Sequence, residues 1–285
     1  MLYYKKLECD SVMAASDNCS MSSESKPFFS VVTVALNDLS GLRRTRASIE
    51  SQVSHDFEWI VIDGASTDGT AAELESCLTR NFSYVSEKDR GVYDAMNKGL
   101  ARTRGRYVIF MNSSDCFASP SVLEVVKRRI LETGQTPDIV FGDALEEIAG
   151  SKLALKKARP IRWLNYGMHT HHQAMFYAGD SLRGMRFDES FSISADYDLT
   201  CRIYRKHGGS LALDLPVCIF AGGGLSQNNA HLGRSENWRV QRDVLGHRLI
   251  RRMLTRASYL ASYRLREKFH SLYVWLRFQH VPPTS

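Results

Sequence analysis

The chain has 285 residues, 44% of them hydrophobic, with 37 Lys and Arg against 31 Asp and Glu for a formal net charge of +6. This is enough for one large domain or two small ones. No uninterrupted apolar run approaches the roughly 20 residues of a membrane-spanning helix. Residues 1–26 lack the apolar core of a signal peptide and read as a disordered leader. Cys9, Cys19, Cys77, Cys116, Cys201 and Cys218 form no Cys-x-x-Cys pair, which argues against zinc and a disulfide framework and fits a reducing compartment. From Val244 onward there are eight basic residues and one acid, leaving 29 basic and 30 acidic residues in the rest. The basicity therefore belongs to the tail and is no evidence that the body binds nucleic acid.

In chain order, strands are predicted at Phe28–Leu36, Phe57–Asp63, Phe82–Ser86 and Tyr107–Met111. They alternate with helices predicted at Leu42–Val53, Asp68–Arg80, Val92–Thr103 and Ser121–Thr133. This order implies an α/β fold with a largely parallel sheet covered by helices on both faces. Further strands at Ile139–Ile148, Leu153–Lys156, Gln173–Ala178 and Leu211–Phe220, with a helix at Asp196–His207, suggest a more mixed second half. Residues 27–226 read as one domain, followed at 227–285 by a loop and basic, amphipathic C-terminal helices.

The strand ends carry the chemistry. They read Asn37, then Asp63-Gly64-Ala65-Ser66-Thr67-Asp68-Gly69-Thr70, Asp89-Arg90-Gly91, and Asn112-Ser113-Ser114-Asp115. Ligands of open α/β sheets bind at the carboxyl ends of strands, and these residue types suit a nucleotide diphosphate with a divalent metal. Arg90 precedes a helix whose N-terminus favours anions, so Asp89 and Arg90 are nucleotide-site candidates. Asp68 reads as a helix cap, and Asn97 fits a packing role as well as a site role. Asp63 alone could simply begin a turn.

Together with Ala195-Asp196-Tyr197-Asp198-Leu199 and Gly222-Gly223-Gly224-Leu225-Ser226, these motifs resemble the family 2 glycosyltransferases of the GT-A fold. The likeness runs over about Phe28 to Ser226, and bacterial exopolysaccharide and glycolipid enzymes look most similar. It implies a Rossmann-like nucleotide-binding half with a mixed central sheet. It also implies nucleotide contacts from Asn37 and Asp63, with Asp63 reading the base, and Mg²⁺ or Mn²⁺ at Asp115. Asp196 would be the base that deprotonates the acceptor. Where the family usually has two acids, this chain has Ser114 and Asp115. One carboxylate with donor phosphates can still hold such a cation; otherwise Asp115 merely caps a turn. Ala195 likewise replaces a usual Glu, and Asp196 could be an N-cap, a role that does not exclude the base. Asp198 is about 200° round the helix from Asp196 and is set aside. Asn112, Ser114, His172, Gln173 and Ser226 are expected to line the donor and acceptor site, although His172 and Gln173 could simply open a strand. The glycine run could close over the donor or be a plain connector.

The resemblance implies an inverting transferase that moves a sugar from a nucleotide-diphosphate donor, UDP-linked by expectation, to a glycan or lipid-linked hydroxyl. A sugar nucleotidyltransferase is the second reading, but the first strand lacks a basic glycine-rich loop. A non-catalytic scaffold is the third, suggested by Ser114 and Ala195. The tail, over 244–280, is expected either to contact an anionic membrane peripherally, at its cytoplasmic face, or to pack on the body.

Overall fold

A computed structural model describes residues 26–77, 81–148, 152–222, 229–268 and 279–280. Its first half is β1 (Phe29–Ala35), α1 (Leu39–Glu50), β2 (Phe57–Asp63), α2 (Thr70–Glu75), β3 (Phe82–Ser86), α3 (Val92–Leu100) and β4 (Tyr107–Phe110). The four strands lie parallel in the order β4-β1-β2-β3. β1 and β2 are buried at every position, as a parallel strand covered on both faces requires. Alternate side chains serve two cores. Phe29 and Val31 join Trp59 and Leu42 on one face, while Val32 and Val34 join Ile60, Met96 and Phe110 on the other. A Cβ at Gly99 would stand 2.4 Å from Val32 Cγ1, so the missing side chain lets α3 lie close on β1.

β5 (Cys116–Phe117), α4 (Val122–Glu132), β6 (Ile139–Ile148), β7 (Lys152–Lys156), β8 (Met175–Ala178), α5 (Gly179–Leu182), α6 (Ala195–Lys206) and β9 (Ser210–Phe220) complete the body. β8 joins β4 antiparallel and β6 joins β8 antiparallel, whereas β9 lies parallel to β6. The sheet is therefore mixed on this side. α7 (Ala230–Asp243) and α8 (Leu249–Lys268) follow, and β10 (Gln279–His280) returns to pair with β7. α7 packs on the body: Val240 is buried, and Gln241 donates to the Tyr166 carbonyl at 3.1 Å. Gly246, at φ +64, separates the two helices.

Several boundaries differ from the sequence reading. α1 begins three residues earlier because the Asp38 side chain accepts from Gly41 N at 3.0 Å and caps it; it ends before Val53, which is exposed. α2 starts at Thr70 with Gly69, not Asp68, as its N-cap. Asp68 still satisfies free backbone donors, accepting from Thr70 N at 3.1 Å and from Leu39 N, the first of α1, at 2.9 Å. Gln173 lies in a 3₁₀ turn, His172–Ala174, rather than in the strand that follows. Residues 1–25, 78–80 and 223–228, which include most of the expected leader, the end of the helix expected after Asp68, and Ser226, lie outside the described residues.

Candidate active site

A pocket of about 770 Å³ opens where β4 ends. It is walled by Asn112–Asp115, the segment leaving β7 (Lys156–Pro160), the turn 168–173, the start of α6, the end of β9, and α7 through Gly233, Arg234 and Asn237. Five expected residues meet there with Asp196: Asn112, Ser114, Asp115, His172 and Gln173. Asn37, Asp63, Asp89 and Arg90 do not line it; they stand on or after neighbouring strand ends.

Asp115 is 4% exposed. Its Oδ2 accepts from Gln173 Nε2 at 2.7 Å and its Oδ1 from Ala221 N at 3.0 Å. Burial pushes its carboxyl up to about 6, against the Ala221 N–H, His172 and Gln173, which stabilise the anion. Gln173 Oε1 and Asn112 Oδ1 are buried beside it without hydrogen-bond partners. Ser114 sits at φ +75, and its hydroxyl donates to Asp38 Oδ2 at 2.8 Å, as the Ser113 hydroxyl does at 2.7 Å. An acid at 114 would confront that carboxylate; a hydroxyl bonds it. A hydroxyl at 114 therefore suits this turn, to which Asp38 already brings a carboxylate.

Asp196 is the second residue of α6, whose N-cap is Ser194, so the N-cap alternative for Asp196 fails. His172 bridges it to β4. Nδ1 is 3.4 Å from Asp196 Oδ2, and Nε2 is 3.4 Å from Asn112 Nδ2. With the Asn112 amide oriented this way, its NH₂ can only donate, so Nε2 accepts and the ring proton on Nδ1 faces Asp196. Asp198 turns away, buried against Arg202 at 2.8 Å.

Two residues that the sequence did not single out fix the segment before Asp196. Glu236 of α7, itself buried, accepts from the backbone N–H groups of Ser192, Ile193 and Ser194 at 2.7, 2.8 and 2.8 Å. A carboxylate here also meets the positive end of α6. Tyr93 donates to the Ile193 carbonyl at 2.5 Å. Glu236 lies more than thirty residues from what it holds, so no local pattern signals it.

The remaining histidines differ in setting. His171 stacks on Phe220 at 4.3 Å and lies 2.7 Å from Glu146. Burial lowers it to about 4 despite that carboxylate. Glu146, although burial opposes its charge, is held down at about 2 by His171 and Lys156. The charge pair at neutral pH is therefore Glu146 with Lys156, at 2.6 Å. His169 packs edge-on against Phe141 at 4.4 Å with neither ring nitrogen partnered, and burial lowers it to about 4.

Along the other strand ends, Asn37 (φ +49) accepts from Thr67 N at 2.8 Å, and its own N–H donates to Ser66 Oγ at 2.7 Å. Asp63 is fully buried and accepts from Ser66 N, the Ser66 hydroxyl and the Ser86 hydroxyl. Asp89 accepts from Gly91 N at 3.1 Å. The Arg90 guanidinium is held by Asp94 and Glu189, each at 2.8 Å, so a phosphate there would have to compete with two carboxylates. Asn97 exchanges two hydrogen bonds with the Phe187 backbone, which is a packing role.

Residues 30–188, more than half of the chain, match the model described as glycosyl transferase family 2. The chain belongs to this family. An uncharacterised glycosyltransferase of Mycobacterium tuberculosis is 33% identical over 186 residues, covering 62% of this chain and 69% of that protein. A PGL/p-HBAD biosynthesis glycosyltransferase of Mycobacterium bovis is 28% identical over 186 residues, 62% and 70% of the two chains. Among solved structures, S. aureus TarS in complex with UDP-GlcNAc superposes with a TM-score of 0.63 at 18% identity, covering 86% of this chain and 75% of that one. The Pyrobaculum calidifontis mannosyltransferase PcManGT, in complex with GDP-Man and Mn²⁺, gives 0.58 at 17%, covering 76% and 64%. These two likenesses establish the GT-A fold. The family 2 match makes this chain a glycosyltransferase and sets aside the nucleotidyltransferase reading.

Proposed function

We propose that this family 2 enzyme is an inverting glycosyltransferase that moves a sugar from a nucleotide-diphosphate donor, UDP-linked, to a hydroxyl of a glycan or lipid-linked acceptor of the cell surface. The observation that carries this reading is the convergence of Asp115 and Asp196 on one pocket, joined through Asn112 and His172. The acceptor hydroxyl attacks the anomeric carbon, its proton passes to Asp196, and the bond from that carbon to the diphosphate oxygen breaks. A single displacement converts an α-linked donor into a β-linked product. A positioned base of this kind contributes ~10²–10⁴-fold. His172 keeps the Asp196 carboxylate turned to the pocket, and Glu236 and Tyr93 keep the start of its helix in place.

Asp115 and the unpartnered carbonyl oxygens of Asn112 and Gln173, all on the wall of this pocket, are hard oxygen donors of the kind Mg²⁺ or Mn²⁺ takes, and the cation would share Asp115 with Gln173 Nε2 and Ala221 N. Such a cation, when bound, would neutralise the departing diphosphate. Among the described residues no group of three His, Cys, Asp or Glu is arranged to hold a metal, so affinity for the cation is expected to depend on donor phosphates. Asn37, Asp63 and Asp89, with Arg90 nearby, would then take the nucleoside end. The biosynthetic role in the name of the Mycobacterium bovis relative supports a lipid-linked acceptor, and the UDP-GlcNAc bound to TarS supports the donor class. An acceptor of this kind would be met at the cytoplasmic face of the membrane.

Calorimetric titration of UDP and GDP, with and without Mn²⁺, tests the donor site in the wild type and in Asp115→Ala. Mn²⁺-dependent UDP binding, weakened at least about tenfold by the substitution (one factor of ten being about 1.4 kcal/mol), is the expected result. Folded protein that binds neither nucleotide with metal present would overturn the reading.

A further inference from the structure

The first turns of α8, residues 249–258, are built the wrong way round for a helix whose apolar side faces a protein core. Such a helix turns its apolar stripe inward and its charges to water. Here Arg252 and Thr255 are buried, while Leu249, Ile250, Met253 and Leu254 are 59%, 73%, 57% and 66% exposed. At 3.6 residues per turn these four fall within about 140° of one another on the outward side. Exposed Arg251 and Arg256 stand on the two flanks of that arc. Glu267 is the helix's sole acid, near its far end.

The stripe continues onto the body. Arg251 lies 5.7 Å from the Tyr166 ring, Tyr166 is 5.4 Å from Trp163, and Arg159 lies 4.6 Å from Trp163. Trp163 and Tyr166 are exposed, and Arg159 lines the active-site pocket. One continuous surface thus runs from leucines and isoleucine, through arginines and two amphipathic aromatics, to the mouth of the pocket. Exposed apolar patches of this kind mark contact sites. Tryptophan and tyrosine favour the headgroup level, and arginines favour anionic headgroups. No described helix is long and apolar enough to cross a membrane, so a bilayer would be met in the plane of its surface.

We infer that the outward face of α8, with Trp163 and Tyr166, is an interfacial docking surface for an anionic phospholipid bilayer, and that it sets the pocket mouth toward that bilayer. The inference deepens the functional reading by naming where a lipid-linked acceptor is met. Vesicle binding needs neither donor nor turnover, however, so either can fail without the other.

The test is flotation of the full chain with vesicles of phosphatidylcholine alone or doped with phosphatidylglycerol. Binding should need the anionic lipid and weaken as salt is raised. The double variant Ile250→Asp/Leu254→Asp should lower partitioning about tenfold or more with an unchanged circular dichroism spectrum. Arg251→Gln/Arg256→Gln should reduce only the dependence on anionic lipid. Absence of flotation with folded protein, binding indifferent to the aspartates, or equal binding to neutral vesicles would overturn the inference. So would self-association abolished by the aspartate pair in a protein that ignores vesicles, because the face would then join two copies.

Discussion

At the ends of β1 and β2, polar groups answer one another. Asn37 ties its loop to Ser66 and Thr67; Asp63 takes three donors; Asp68 joins the starts of α1 and α2; Asp38 gathers Gly41, Ser113 and Ser114. In the pocket beyond β4 the opposite holds. Asn112 Oδ1, Gln173 Oε1 and both nitrogens of His169 are buried and unpartnered. A buried unpaired polar atom costs about 1–3 kcal/mol, so a site that tolerates several is arranged for something other than its own stability. The first region is a frame that holds its own shape before a nucleoside meets it, and the second is completed by what binds. Substitutions in the frame should therefore register in stability, and those in the pocket in turnover.

The sharpest way to break this comparison is Asp196→Asn. The variant keeps the shape and the contact with His172 but cannot accept a proton. Turnover with a competent donor and acceptor should fall ~10²–10⁴-fold, with nucleotide affinity and melting temperature unchanged. A large loss of melting temperature would mean that Asp196 belongs to the frame after all.

The frame was the legible part. Continuous β-branched runs give the parallel strands, and polar residues at their ends mark the binding edge, because both are local patterns. The 3₁₀ turn at His172–Ala174 was missed because Gln173 continues an apolar strand pattern, and only Asp115 explains why it turns inward. Glu236 was invisible because its partners are backbone N–H groups, which carry no side-chain signature. Asp38 read as part of a loop, and its contact with Ser113 and Ser114 joins strand ends more than seventy residues apart. The tail's composition pointed to an interface helix, but which way its apolar side faces follows from packing alone.

Within the frame, Asp63→Asn should give the next largest effect. Its carboxylate accepts from Ser66 N, the Ser66 hydroxyl and the Ser86 hydroxyl. An amide offers one acceptor oxygen and turns an NH₂ toward donors. The expected loss is about 1–3 kcal/mol of unfolding free energy in urea denaturation. Any loss of UDP affinity should be read beside that destabilisation. An unchanged denaturation midpoint would mean that this strand end is as unfinished as the pocket.

The smallest effect tests the pocket's side of the comparison through pH. Burial holds His169 at about 4, below the ordinary 6.5, so the unfolded chain takes up its proton first. Its contribution to stability is complete above the unfolded value and is lost as pH falls from 6.5 toward 4. His171, also lowered to about 4, acts in the same direction. Asp115, raised to about 6, acts in the opposite one, because its folded form protonates first. Glu146, lowered from 4.5 to about 2, adds its loss as pH falls from 4.5 toward 2. His169→Phe keeps an aromatic ring against Phe141 and removes one titration. Between pH 7 and pH 5 the wild type should therefore lose about 2 kcal/mol more than the variant, measured as unfolding free energy at each pH. Equal losses in the two proteins would mean that His169 is solvated or partnered, and that this wall of the pocket is finished like the frame.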